Sequence, residues 1–276
     1  MPSIQRRLIV FSKGKPEHTY TADWLNQSNF KKVLYVVSDD DDVKAYKKST
    51  GFDVVKATGS FNLASKRQWA LENTTSRVNP WMIFAEDNIR KMIGVKPKFL
   101  YGCDEVADPS YDNMRGTDYD VQTVFEVINK DILKARELGA YYGGFASTNS
   151  HLFRRVKYKT VSFIWSKFGY CRNRGPSWPD YVNEKDDYGF TAECLKFSGR
   201  TLKNNFMFPE ARRYENRGGS RSLEDRADDM REAVQQFHKR FPGLFRNTQK
   251  KHGPEGTEVQ LRFNSHKQID AWRNAL

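Results

Sequence analysis

Four short apolar runs, separated by amphipathic stretches of helix length, constrain this chain more than any other feature. Residues 7–11, 33–37, 52–56 and 81–85 read as buried strands. Segments 19–27 and 63–73 between them read as helices, with Thr19 or Thr21 as a cap for the first. In the second, Leu63, Arg67, Ala70, Leu71 and Thr74 share one helical face. Strands alternating with helices imply an α/β fold, with a mostly parallel central sheet flanked by helices.

Past a loop-rich stretch at 97–118, residues 119–138 read as a long helix. Its apolar face holds Val121, Val124, Phe125, Ile128, Ile132 and Leu133. Strand-like stretches follow at 141–146, 158–165 and 202–208, with a helix at 186–197 that stops at Gly199. Residues 211–222 are polar and glycine-rich. A charged helix at 223–240 stops at Pro242, and a short strand at 258–263 precedes a terminal helix. There is no internal repeat or long low-complexity linker, so 1–276 is expected to be a single elaborated domain.

Charge narrows the partners. The 276 residues carry 46 Lys and Arg against 34 Asp and Glu, a formal +12, which suits an anionic partner. Aromatic content of 14% argues against disorder. Cys103, Cys171 and Cys194 form no CxxC pair, and the histidines form no HExxH spacing. Reduced thiols in a cytoplasmic protein are expected, without a disulfide framework or structural zinc. No stretch approaches a membrane span, and the opening apolar run is too short for a signal-peptide core.

Three acidic or basic groupings carry candidate chemistry. Strand 81–85 ends in Glu86-Asp87-Asn88. Carboxylates beyond the carboxyl end of a strand suit a hard divalent cation, although a helix cap or solvated turn explains them equally well. Lys66 and Arg67 open the preceding helix, where cations and backbone N–H groups suit a diphosphate; an ordinary solvated face is the plainer alternative. Asp186 and Asp187 begin the 186–197 helix, as dipole partners or as a general base. Asp39 and Asp40 follow a strand in the same way. They could accept from a base or ribose, or belong to a turn.

Between His151 and Pro179 lie seven cations, Arg154, Arg155, Lys157, Lys159, Lys167, Arg172 and Arg174, and no acid. Seven aromatic rings share the stretch: Phe153, Tyr158, Phe163, Trp165, Phe168, Tyr170 and Trp178. Cations meet phosphates and rings stack on bases, so a nucleic-acid surface is expected, centred on Arg172, Arg174 and Trp178. Tyr158, Phe163 and Trp165 fall in strand-like stretches and are expected in part to be core. Arg217, in the polar loop with Arg212, Arg213 and Arg221, could grip DNA, close over a diphosphate or belong to a basic linker between strand and helix.

Taken in order, a basic helix at Lys66/Arg67, an acidic strand end at Glu86-Asp87-Asn88 and an acid pair at Asp186-Asp187 resemble GT-A-fold nucleotide-sugar glycosyltransferases. The resemblance covers about residues 5–210. More narrowly the chain resembles the phage TET-associated DNA glycosyltransferases, an impression to which the segment 211–220 and Phe241-Pro-Gly-Leu-Phe245 add. The resemblance implies a nucleotide-sugar-binding half at about 1–100, an acceptor half at about 101–210 and a C-terminal helical extension at 211–276. It implies Mg²⁺ or Mn²⁺ at Asp87 and Asn88, and a nucleotide-diphosphate sugar, taken as a UDP-sugar, held by Lys66, Arg67, Asp39 and Glu86. Asp187, or Asp186 beside it, would be the base. The implied acceptor is the hydroxyl of a 5-hydroxymethylpyrimidine, foremost 5-hydroxymethylcytosine, in bacteriophage DNA. Where the family favours Asp-rich motifs, this chain has Glu-Asp-Asn. Two other readings compete: a metal-dependent nuclease built on Glu86, Asp87 and a lysine, and a non-catalytic DNA-binding module.

Overall fold

The computed structural model describes residues 7–12, 14, 16–17, 19–59, 62–106, 116–148, 155–211, 223–248 and 255–276. The chain opens with β1 (Leu8–Phe11), α1 (Tyr20–Gln27), β2 (Val33–Val37), α2 (Asp40–Thr50), β3 (Asp53–Lys56), α3 (Leu63–Thr74) and β4 (Trp81–Glu86). Next come β5 (Ile89–Gly94), α4 (Pro97–Gly102), β6 (Thr117–Tyr119), α5 (Val121–Leu138) and β7 (Tyr142–Phe145). The remainder is β8 (Tyr158–Lys159), β9 (Phe168–Arg172), α6 (Asp186–Ser198), β10 (Leu202–Asn204), β11 (Met207–Ala211), α7 (Leu223–Arg240), β12 (Phe245–Thr248), β13 (Glu258–Leu261) and α8 (His266–Asn274).

The α/β class expected from the sequence is present. Eight strands form the central sheet in the order β3-β2-β1-β4-β9-β7-β10-β8. The first four run parallel, β9 runs against both β4 and β7, and β10 is parallel to β7. β1 and β2 are buried along their whole length, as parallel strands covered on both faces must be. Alternation along each strand divides the core in two. Leu8, Val10, Val33 and Tyr35 pack with Trp24 of α1 and Val124 and Ile128 of α5. Ile9, Phe11, Leu34 and Val36 pack on the other face with Ala70 and Leu71 of α3 and Phe190 of α6. A second sheet, β11-β5-β6, and a hairpin, β12-β13, lie outside the central one.

Several segments differ from the sequence reading. Asp40–Asp42 form no turn: Asp39 caps α2, its side chain accepting from the Asp42 backbone N–H, and three acids fill the first turn. Lys47, Lys48 and a left-handed Gly51 complete the stop. Stretch 158–165 supplies only the two residues of β8. The central strand of this region is β9, which the sequence reading passed over. Stretch 202–208 splits into β10 and β11, in different sheets. The C-terminal extension is helical but also holds the β12-β13 hairpin. Leu133, placed on the apolar face of α5, is 55% exposed.

One buried carboxylate pins α5 to the sheet. Asp131 accepts from Tyr158 Oη at 2.8 Å and from Asn204 Nδ2 at 2.9 Å, joining neighbouring strands β8 and β10. Burial raises its carboxyl to about 6, against which the two hydrogen bonds work.

Close approach of β7 and β9 requires a bare backbone at Gly143, where an added Cβ would enter the Tyr170 ring. Gly143→Ala is therefore expected to cost about 1–3 kcal/mol, as overpacked cores do. Urea unfolding checks this through a lower midpoint at unchanged slope.

Candidate functional site

The candidate site lies beyond the carboxyl ends of the parallel strands. β4 ends at Glu86, paired with Phe11 at the end of β1, and the chain turns there through Asp87 and Asn88. α3 begins close by, capped by Asn62 in a reciprocal exchange with Ser65. That cap and the 63-67-70-71 spacing turn Arg67 inward.

Arg67 is completely buried. Its guanidinium donates to Asp186 Oδ2, to Glu86 Oε1 at 3.2 Å and to the Ser166 carbonyl at 3.3 Å. Its Cζ lies 4.8 Å from the Trp178 ring, 5.6 Å from Phe84 and 5.8 Å from Phe11. Lys167 donates to the other Glu86 oxygen. Burial pushes the Glu86 carboxyl up, but Lys167 and Arg67 outweigh it and hold it below its ordinary value. Glu86 is thus a fixed anion within an ion-pair network.

The acids of α6 complete the network. Burial raises both carboxyls. Asp186 contacts Arg67 directly, and that cation works against the rise of its carboxyl. Asp187, raised to about 7 by burial and then by the Asp186 charge, is the member that exchanges a proton near neutrality. Lys185, just ahead, adopts a left-handed conformation at φ 58°, uncommon for a residue with a Cβ. It is held from the C-terminal extension by Glu258 at 3.4 Å and lies over the Tyr188 ring. Glu184 is gripped through both oxygens by Arg226 of α7, at 2.8 and 2.7 Å.

A second polar group lies at the ends of β1 and β4. Ser12, following β1, donates to Asp87 and also lies 2.6 Å from Tyr46 Oη. Lys66 Nζ donates to the Ser12 carbonyl at 2.8 Å. Asp42 accepts from the Gly14 N–H at 3.1 Å. Thr21 donates to the Glu86 carbonyl at 2.6 Å and accepts from the Ile89 N–H, fixing the turn that carries Asp87.

The expected roles change in several places. Lys66 is 4% exposed and braces the end of β1, and Arg67 has no exposed surface, so neither stands open to a diphosphate. Asp39 serves as a helix cap. Asp186 is an ion-pair partner, not a free base. Trp178 is 2% exposed and stacks on Phe190 at 4.0 Å, so a nucleobase cannot reach it. Arg172 lies beside Trp81, at the start of β4, because antiparallel β9 carries it to the edge of the sheet opposite Glu86. Its Cζ sits 5.2 Å from the Tyr141 ring. Arg174, exposed, follows on the same side. Arg217 lies outside the described residues.

Two other ring pairs keep partial exposure. Phe163 stacks on Tyr188 at 4.1 Å, and Trp165 on Phe208 at 6.3 Å, all four half-buried. Their signal in the sequence was alternation: half-buried Phe163, Trp165 and Lys167 alternate with buried Ile164 and Ser166.

Among the described residues no group of three or more His, Cys, Asp or Glu forms a metal cage. Asp87 and Asn88 supply one carboxylate and one amide oxygen. That sparse set fits Mg²⁺ or Mn²⁺ only in the mode where substrate phosphates and water complete the shell. Among the described residues no helix is long and apolar enough to cross a membrane.

No family model matches the chain, and no curated protein matches it. Among solved structures it is similar to a proposed nucleotide-diphospho-sugar transferase from Desulfovibrio desulfuricans G20. The identity is 12%, over 73% of this chain and 80% of that one, with a TM-score of 0.39.

Arg67→Met is expected to leave Glu86 and Asp186 buried without their shared cation, at a cost of about 3–5 kcal/mol. Arg67→Lys recovers little, since one ammonium cannot reproduce the fork. Chemical denaturation of both variants checks this.

Proposed function

We propose that the chain is a glycosyltransferase that moves a sugar from a nucleotide-diphosphate donor, such as a UDP-sugar, to the hydroxyl of a 5-hydroxymethylpyrimidine in DNA. The foremost acceptor is 5-hydroxymethylcytosine. One observation carries the reading: Arg67 joins the acidic end of β4 to the acid pair of α6, about 100 residues later. The joined site holds a carboxyl, Asp187, whose proton comes off near neutrality. That is the property required of a base that activates a poorly acidic hydroxyl. The +12 charge and the half-exposed ring pairs Phe163–Tyr188 and Trp165–Phe208 support a nucleic-acid acceptor with a base to stack.

In this reading Asp187 takes the proton of the acceptor hydroxyl. The hydroxyl oxygen bonds to the anomeric carbon, and the carbon–oxygen bond to the diphosphate breaks, the diphosphate leaving with the electron pair. Asp186 and Arg67 position Asp187 and do not meet the substrate. Asp87, with Asn88 beside it, is the place for a divalent cation, which when bound neutralises the diphosphate. The Thr21 bonds fix the turn that presents Asp87.

A mass-spectrometric screen of nucleotide sugars against DNA with and without 5-hydroxymethylcytosine tests the proposal. A hexose-sized gain on modified DNA alone is expected. Donor hydrolysis without DNA gain overturns the acceptor, and neither reaction with any donor overturns the enzyme reading.

Two further outcomes are expected. kcat/KM should fall about tenfold per pH unit below about 7, because Asp187 must be deprotonated to act, and level off above. Asp187→Asn should lower kcat by about 10²–10⁴-fold and remove that limb. Asp87→Ala should abolish the Mg²⁺-dependent part of UDP binding, measured by calorimetry, while circular dichroism stays unchanged.

A further inference from the structure

A second charged feature lies on the same sheet face as Arg67, and the network above does not use it. The registers align one row across the central sheet: Leu34, Ile9, Phe84, Gly169, Gly144, Lys203 and Lys159. Cross-strand partners point to the same side. The row therefore begins in the apolar core, passes Phe84 beneath the Arg67 guanidinium, crosses two glycines and ends in two lysines directly opposite each other. Like charges in that arrangement repel.

Among the described residues neither lysine makes an ion pair. The nearby carboxylate Asp131 serves the alternate positions, Tyr158 and Asn204, on the other face. Lys203 is half-buried, and burial and then Lys159 bring its ammonium down to about 8. The pair is an unbalanced dication held in place by the sheet. An anion seated between the two would relieve both their repulsion and the desolvation of Lys203.

We propose that Lys159 and Lys203 form an oxyanion subsite that takes a backbone phosphate of the acceptor DNA strand. Two ammonium groups offer up to six donors without a planar fork, which suits a phosphate. The subsite lies three strand spacings from Phe84, about 14 Å. B-form DNA carries a charge each ~3.4 Å of axis per strand, so about four nucleotides cover that span. Arg172 aligns with Trp81 at the start of β4, whereas Lys203 aligns with Phe84, two residues short of Glu86. The choice of DNA rests on the acceptor reading above; the oxyanion chemistry does not.

Limited acetylation read by mass spectrometry tests the subsite without requiring turnover. Lys203 should be labelled ahead of exposed Lys31 and Lys47. Both excess inorganic phosphate and an unmodified DNA duplex should suppress its labelling while sparing those two. In Lys159→Gln and Lys203→Gln, the slope of log K for DNA against log salt should fall by about 0.9 per lysine removed. Calorimetric UDP binding should not change, and the unfolding midpoint should hold or rise as the repulsion is relieved. Protection by phosphate with an unchanged DNA salt slope overturns the DNA assignment. Labelling of Lys203 that ignores both phosphate and DNA overturns the subsite itself. Protection by DNA in a protein that transfers no sugar supports the subsite while the glycosyltransferase reading fails.

Discussion

A single buried cation organises the functional end of this molecule. Arg67 carries its charge into a pocket of Phe11, Phe84 and Trp178, where an unpaired guanidinium would be prohibitively costly. Its compensation comes from Glu86 on β4 and Asp186 on α6, so helix, strand and helix must meet for the charge to be tolerated. Apolar replacement of a whole buried ion network is often neutral or stabilising, so stability alone does not explain this one. What the network supplies is position. It brings the strand turn at Asp87 and the first turn of α6 to one edge, and it leaves Asp187 buried beside Asp186, so that burial and then that neighbour raise its carboxyl to about 7.

Strand direction does the rest of the sorting. β9 runs against both its neighbours, so its two ends serve opposite edges of the sheet. The beginning delivers Lys167 to Glu86, while the end removes Arg172 to the far side. A stretch whose composition reads as one basic, aromatic surface is thereby divided. Its rings divide too. Trp178 goes under Arg67 into the core, and Phe163 and Trp165 stay half-exposed, because Ile164 and Ser166 take the inward positions between them.

The parts of the site that local chemistry determines were legible in the sequence. The apolar strands ending in acids, the acid pair at the start of α6 and the placement of Arg67 on the apolar face of α3 all follow from spacing. The meaning of that last placement did not follow. An arginine on a buried face implies a buried anion, but which one depends on contacts spanning 19 and 119 residues. β9 was hidden for a similar reason. Phe-Gly-Tyr-Cys-Arg lacks the branched aliphatic run of β1 or β2, and its glycine at 169 makes sense only against Gly143, whose carbonyl an added Cβ would meet at 2.7 Å. α2 was legible and missed: Asp39, three acids, two lysines and Gly51 are a full set of helix boundary signals.

The C-terminal extension belongs to the same electrostatic problem. Asp186 and Asp187 gain from the α6 dipole only if the chain enters the helix at the right angle, and Lys185 makes that entry in a left-handed conformation costing of order 1–3 kcal/mol. Such a conformation persists only where its surroundings over-determine it. Here the surroundings come from downstream: Arg226 of α7 clamps Glu184 and Glu258 of β13 holds Lys185, while Phe237, Phe245 and Trp272 share a core with Leu195 of α6. The acids are therefore gripped from two sides, by Arg67 out of the sheet and by the extension behind the helix. That second grip links the last fifth of the chain to the ion-pair network at the end of β4.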